Sequence, residues 1–160
     1  MKTVYLDSSA IVKRYVAEAG SEAVDLIFDR AETGSVQLLF SVWNVGEVLG
    51  VIDRYCRRGL ISKEEMGNVV AHFLSENAKL TKLGGLSILP MTADALIDSW
   101  LLVLRRHIYV ADALQVELAR RGCDALLSGD EKLAEVAISE GINAINVERA
   151  PDKVRELAGE

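Results

Sequence analysis

Four acidic residues stand where an apolar chain has least reason to place them. Asp7 ends the run Val4-Tyr-Leu, and Glu47 interrupts the flow from Val45 to Leu49. Asp112 sits in Tyr109-Val-Ala-Asp-Ala-Leu, and Asp130 follows Leu126-Leu-Ser-Gly. Carboxylates brought together repel one another and resist burial. A hard divalent cation removes that penalty, and Mg²⁺ or Mn²⁺ suits a donor set made only of oxygen. Such a cation activates water and offsets charge on a phosphoryl oxygen, so metal-dependent phosphodiester hydrolysis is the chemistry that fits. Either Asp112 or Asp130 is placed to hold the attacking water. Each acid alone also reads as a helix cap or a solvated first-turn residue. The chemical reading belongs to the set.

Other chemistries find less support. No Cys-His or Ser-His-Asp set has a recognisable context, and the G-x-S-x-G elbow is absent. His72 and His107 have no paired histidine nearby in the sequence, so zinc is not indicated. Cys56 and Cys123 are too few for a disulfide scaffold and lack metal-ligand spacing.

The acids need a scaffold that aims them at one edge. Short apolar runs predict parallel strands at Thr3–Leu6, Gln37–Ser41, Leu86–Leu89, Asp124–Ser128 and Ile142–Val147. Between them, apolar residues at helical spacing predict helices over Ala10–Glu18, from Ser21 past Phe28, and over Val42–Arg57. Further helices are predicted from the Ser62/Glu65 capping box to about Asn77, then over Ala93–Arg106 with Thr92 as cap. Two more are predicted over Asp112–Arg121 and from Asp130 through Ile138. Gly46 and Gly50 flank Glu47 inside a helix, which suggests a close approach by another element there. Strands alternating with helices indicate an α/β fold, a three-layer α/β/α sandwich around a mostly parallel sheet of four to five strands. An all-helical reading of the short runs is the structural alternative. Sites in open parallel sheets form beyond the carboxyl ends of the strands. Asp7 and Asp130 follow strands, while Glu47 and Asp112 lie early in helices that approach the same edge.

The 160 residues suit one domain, expected over 1–150, with 151–160 as a short helical extension opened by Pro151. Half the residues are hydrophobic and only 6% aromatic, so aliphatic side chains must build the core. A net charge of -6 gives no general support for nucleic-acid binding, although a local basic patch can coexist with it. No secretory signal or membrane-length apolar run is visible, and the expectation is a cytoplasmic protein without membrane attachment.

The motifs Tyr5-Leu-Asp-Ser-Ser-Ala, Ser41-Val-Trp-Asn-Val-Gly-Glu-Val, Ala111-Asp-Ala-Leu and Leu127-Ser-Gly-Asp, in this order and spacing, resemble those of the PIN-domain family, particularly the VapC-type toxins. The acid-led helix Asp130 to Gly141 follows the same habit. The resemblance implies a Mg²⁺- or Mn²⁺-dependent ribonuclease with Asp7, Glu47, Asp112 and Asp130 as metal ligands. It also implies that Ser128 orients a carboxylate or water, and that Ser8 or Ser9 supports Asp7. The implied partners are an RNA substrate, a cognate antitoxin protein and a second copy in a homodimer. The turn Trp43-Asn-Val-Gly departs from the apolar or threonine-bearing turn expected there. An RNA-maturation nuclease of the same fold, a catalytically silent binding domain and a small-phosphoester phosphatase are the alternatives.

For a polyanionic substrate, Lys13, Arg14, Arg54, Arg57, Arg58, Arg105, Arg106 and His107 are candidate rim contacts; solvated surface is the plainer reading of each cluster. Tyr15, Trp43 and Trp100 are candidates for base stacking, against ordinary core or interface packing.

Overall fold

The computed structural model describes residues 1–159. Strand β1 (Lys2–Leu6) leads into a short helix α1 (Ser8–Ile11), which tightens into a 3-10 turn at Val12–Arg14. Then come α2 (Ser21–Glu32), β2 (Val36–Ser41), α3 (Val42–Arg57), α4 (Lys63–Leu83), β3 (Leu86–Leu89), α5 (Ala93–Arg106) and α6 (Val110–Arg120). The chain closes with β4 (Ala125–Ser128), α7 (Glu131–Ser139), β5 (Ala144–Asn146) and α8 (Pro151–Ala158). Helix α8 falls within the stretch 151–160, whose last residue, Glu160, lies outside the described residues.

All strand pairs are parallel, in the order β3-β2-β1-β4-β5. Alternation along the strands divides the core in two. Val4, Leu6, Leu38, Phe40, Ala125 and Leu127 face a layer formed by α1, α2, α3, α4 and α8. Tyr5, Leu39 and Leu126 face the layer of α5, α6 and α7. The period of two in the strands thus makes the α/β/α sandwich directly. Val154, Leu157 and Ala158 of α8 join the first layer and pack against α2.

Two helices differ from expectation by a turn or more at their ends, and β5 is shorter than the expected Ile142–Val147. The first helix stops at Arg14 rather than Glu18, because a buried lysine and a bonded Ser21 hydroxyl redirect the chain. Ser21 Oγ donates to the Lys13 carbonyl at 2.7 Å and accepts from Glu18 N at 3.0 Å. Helix α4 runs on past Asn77 to Leu83, since Leu80 buries itself in the first core layer. It ends at Gly84 in the left-handed conformation (φ 78°). Gly85 then passes so close to the Ala31 carbonyl that a Cβ there would collide with backbone. The Ser62/Glu65 capping box forms as expected, whereas Thr92 occupies the N-cap position of α5 without a capping bond.

Strand order reverses at β1. The chain builds β2 and β3 on one side of it, then crosses to β4 and β5 on the other. Such a switch point opens a crevice at the carboxyl ends of the central strands. Asp7 and Ser128 end up side by side there, since Leu6 pairs with Leu127 and Asp7 N donates to the Leu127 carbonyl at 3.1 Å.

Candidate active site

Asp7 is buried to 4% exposure and serves as the N-cap of α1. Its carboxylate accepts from Ala10 N at 2.8 Å, from Ser9 Oγ at 2.8 Å and from Ser128 Oγ at 2.8 Å. The two serines are held from behind by the loop after β4. Gly129 N donates to Ser9 Oγ at 2.8 Å, and Asp130 N donates to Ser128 Oγ at 2.9 Å. Each hydroxyl therefore accepts from backbone and has its proton directed to Asp7. Burial pushes the Asp7 carboxyl up to about 6; its hydrogen bonds oppose this and the charge of Asp130 adds to it.

Glu47 lies on α3, whose N-terminus is fixed by a capping box. Ser41, the last residue of β2, accepts from Asn44 N at 3.2 Å, while Asn44 Oδ1 accepts from Ser41 N at 2.7 Å. Fully buried Asn44 is also the centre of a polar network. Its Nδ2 donates to Ser8 Oγ at 3.0 Å and to Gln115 Oε1 at 2.9 Å. The Tyr5 hydroxyl lies 2.9 Å from Asn44 Oδ1 and 2.5 Å from Gln115 Oε1, and burial raises its pKa. The network ends on Glu47, whose Oε2 accepts from Ser8 Oγ and, at 3.4 Å, from Gln115 Nε2.

Asp112 occupies the first turn of α6 and accepts no hydrogen bond from a described residue. Desolvation raises its pKa, as do the charges of Asp130 and Glu47, with Lys132 opposing. Asp130 caps α7, accepting from Leu133 N at 3.1 Å, and is the most exposed of the four acids.

One open pocket is lined by Asp7, Glu47, Asp112 and Asp130 together, with Ser8, Ser9 and Gln115 in its wall and Arg54 at its rim. Ser128 lies beneath it, fully buried, behind Asp7. Among the described residues, no group of three Asp, Glu, His or Cys side chains stands ready to hold a metal ion. The donor set nevertheless suits a hard cation. It is all oxygen, and Asp7 and Asp112 are both raised by burial and by neighbouring acids, a condition that positive charge reverses.

The basic rim shrinks in the structure. Lys13 is only 5% exposed and pairs with Glu148 at 2.6 Å and Glu18 at 3.1 Å. Arg14 is held by Asp25, Asp29 and Glu76, Arg57 by Asp53, and Arg105 and Arg106 by Glu140. Arg54 alone of the candidate rim residues lines the acidic pocket. Tyr15 packs edge-on against Phe28, His72 and Phe73 and is a core residue. The close approach expected at Gly46 and Gly50 is absent: a Cβ at either would meet nothing within 4 Å. These glycines face open space.

Asn44, Gln115 and Tyr5 are not among the sequence candidates. Two signals were available. Ser41-x-x-Asn44 has capping-box spacing, and Gln115 falls one helical turn after Asp112 inside an apolar run.

The profile of the PIN domain matches residues 4–139. Ribonuclease VapC3 of Pyrobaculum aerophilum is 33% identical over 135 residues, which cover 84% of this chain and 94% of that one. Two crystal structures share the fold. PAE2754 from Pyrobaculum aerophilum superposes with a TM-score of 0.61 at 16% identity, over 97% of this chain and 98% of that chain. VapC20 of Mycobacterium tuberculosis, described as a sarcin-ricin loop cleaving toxin, gives 0.60 at 13% identity, over 89% and 97%. With the matched profile covering most of its length, the chain belongs to the PIN domain family and has VapC-type ribonucleases among its relatives.

Proposed function

We propose that this protein is a divalent-metal-dependent endoribonuclease and the toxin of a toxin–antitoxin pair. The observation that carries the reading is the convergence of four carboxylates, from the ends of β1 and β4 and from α3 and α6, on one open pocket. Asp7, Glu47, Asp112 and Asp130 would hold Mg²⁺ or Mn²⁺. Bound there, the ion would supply Lewis-acid stabilisation of the scissile phosphate and make water more acidic.

The protein's own groups have separate tasks. Ser9 and Ser128 fix the Asp7 carboxylate and favour its charged form. Ser8 and Gln115 orient Glu47 from the buried Asn44 network. Asp112, to which no described residue donates a hydrogen bond, is best placed to orient water. Asp130 adds negative charge at the open side.

Relatives named as a ribonuclease and as a sarcin-ricin loop cleaving toxin support the substrate class. Helix α5 exposes Ile97, Trp100, Leu101 and Leu104 at i, i+3, i+4 and i+7, a face suited to a second copy or an antitoxin helix. Among the described residues, no helix is long and apolar enough to cross a membrane. Cys56 and Cys123 are free thiols, in keeping with action in a reducing cytoplasm.

The test is induced expression in a bacterial host. Growth should stop, RNA from arrested cells should carry discrete new ends, and co-expression of the neighbouring gene product should restore growth. Discrete cleavage without arrest would favour an RNA-maturation nuclease. Arrest that persists in Asp112→Asn, with intact RNA, would contradict the proposal.

A further inference from the structure

A second hollow adjoins the acidic pocket. Val42, Trp43, Gly46, Glu47 and Met91 line an open, mostly apolar space of about 380 Å³. Glu47 lines both hollows, so they share a wall. Trp43 is 40% exposed, and no other aromatic ring stacks on it among the described residues. Glycine is a poor choice inside a helix, yet α3 carries it at 46 and 50 with open space above both. Positions 43, 46, 47, 50 and 54 follow one face of the helix. That face runs from an aromatic ring, over bare backbone, past the acid, to Arg54. The Arg54 guanidinium makes no hydrogen bond or ion pair to a described residue.

We propose that the Trp43 hollow receives an unstacked nucleobase next to the scissile phosphate, while Arg54 holds a backbone phosphate on the other side of the acids. The inference rests on the ribonuclease reading and adds a path for single-stranded RNA along α3. With a phosphate at the acids, the space beyond the shared Glu47 wall is reached by the adjoining nucleotide of the same strand. A base offers a flat π face to Trp43, and the missing side chain at Gly46 leaves room beneath it. Arg54 supplies the positive charge that the acidic pocket lacks for its substrate.

The experiment uses the full chain carrying Trp100→Phe, which leaves Trp43 as the only tryptophan, and Asp112→Asn to block cleavage. Oligo(A), oligo(U) and a base-free ribose-phosphate oligomer are titrated while tryptophan fluorescence and affinity are followed. The base-bearing oligomers should quench Trp43 and the base-free one should not. Trp43→Ala should weaken oligonucleotide binding by about 5- to 150-fold, as expected for loss of one base stack. Trp43→Phe should retain most of the affinity. Gly46→Leu, which fills the hollow on a helix that accepts side chains, should behave like Trp43→Ala. Arg54→Gln should lower the salt dependence by about one phosphate contact. RNA binding indifferent to Trp43→Ala and Gly46→Leu would overturn this inference and leave the ribonuclease reading standing. Failure of every form, including the one with Trp43 intact, to bind RNA would overturn both. Quenching of Trp43 only by an apolar helical peptide would assign the hollow to a protein partner and overturn it as well.

Discussion

Replacing Asp7 by Asn should stabilise the metal-free protein at neutral pH. Asp7 is buried, and its carboxyl is pushed from the ordinary 3.8 up to about 6. Between those values the unfolded chain gives up its proton and the folded one keeps it. Folding therefore loses stability as pH rises from 3.8 to 6, and the loss stays constant above that. The interval is about 2 pH units, and at about 1.36 kcal/mol each the ionised carboxylate costs roughly 3 kcal/mol. Asn keeps the N-cap on Ala10 N but cannot accept from both Ser9 and Ser128, which returns about 1 kcal/mol. The expected net gain is about 2 kcal/mol at pH 7.5 in EDTA, shrinking below pH 6 and turning into a loss of about 1 kcal/mol below 3.8. Urea unfolding of both proteins at pH 7.5 and pH 4, with and without Mg²⁺, reads this directly. Mg²⁺ should stabilise the wild type and leave the variant nearly unmoved. Asp7→Asn destabilising at pH 7.5 in EDTA, or the same difference at both pH values, would refute the argument that like charge and burial strain this site.

Ser128→Ala removes a donor to Asp7 and orphans Asp130 N, so RNA cleavage should fall about 10- to 100-fold with little change in secondary structure by circular dichroism. Asn44→Ala breaks the buried network at its centre, and chemical denaturation should show a loss of about 2–3 kcal/mol together with weakened activity. Lys13→Met should leave RNA affinity and its salt dependence unchanged, since Lys13 is occupied by Glu18 and Glu148; a weaker salt dependence would restore it to the substrate rim.

Most of the scaffold can be read from local pattern. The alternation in Val4-Tyr-Leu and Leu38-Leu-Phe assigns each side chain to a core layer, and Val42–Arg57 is bounded by its own cap and apolar stripe. The four acids stand out in the sequence only as a set, since each alone also reads as a helix cap or first-turn residue, and Asp7 and Asp130 do cap α1 and α7. What the chain hides is pairing at a distance. Lys13 looks like a surface cation until the fold brings Glu148, far along the chain, to 2.6 Å. Asn44 looks like an irregularity of the Trp43-Asn-Val-Gly turn until Tyr5, Ser8 and Gln115 close around it. Gly46 and Gly50 suggest contact by their cost to the helix, and only the fold reveals that they leave space instead. Periodicity reports which face is buried; it carries no record of which polar groups meet there.

The most direct test of the central claim is cleavage of a panel of structured RNAs by purified protein in Mg²⁺, Mn²⁺ and EDTA, beside folded Asp7→Asn and Asp112→Asn variants. The account predicts discrete cuts that require metal and disappear in both variants. Cuts that persist in EDTA, or that survive either substitution, would contradict a metal-dependent site built on these carboxylates.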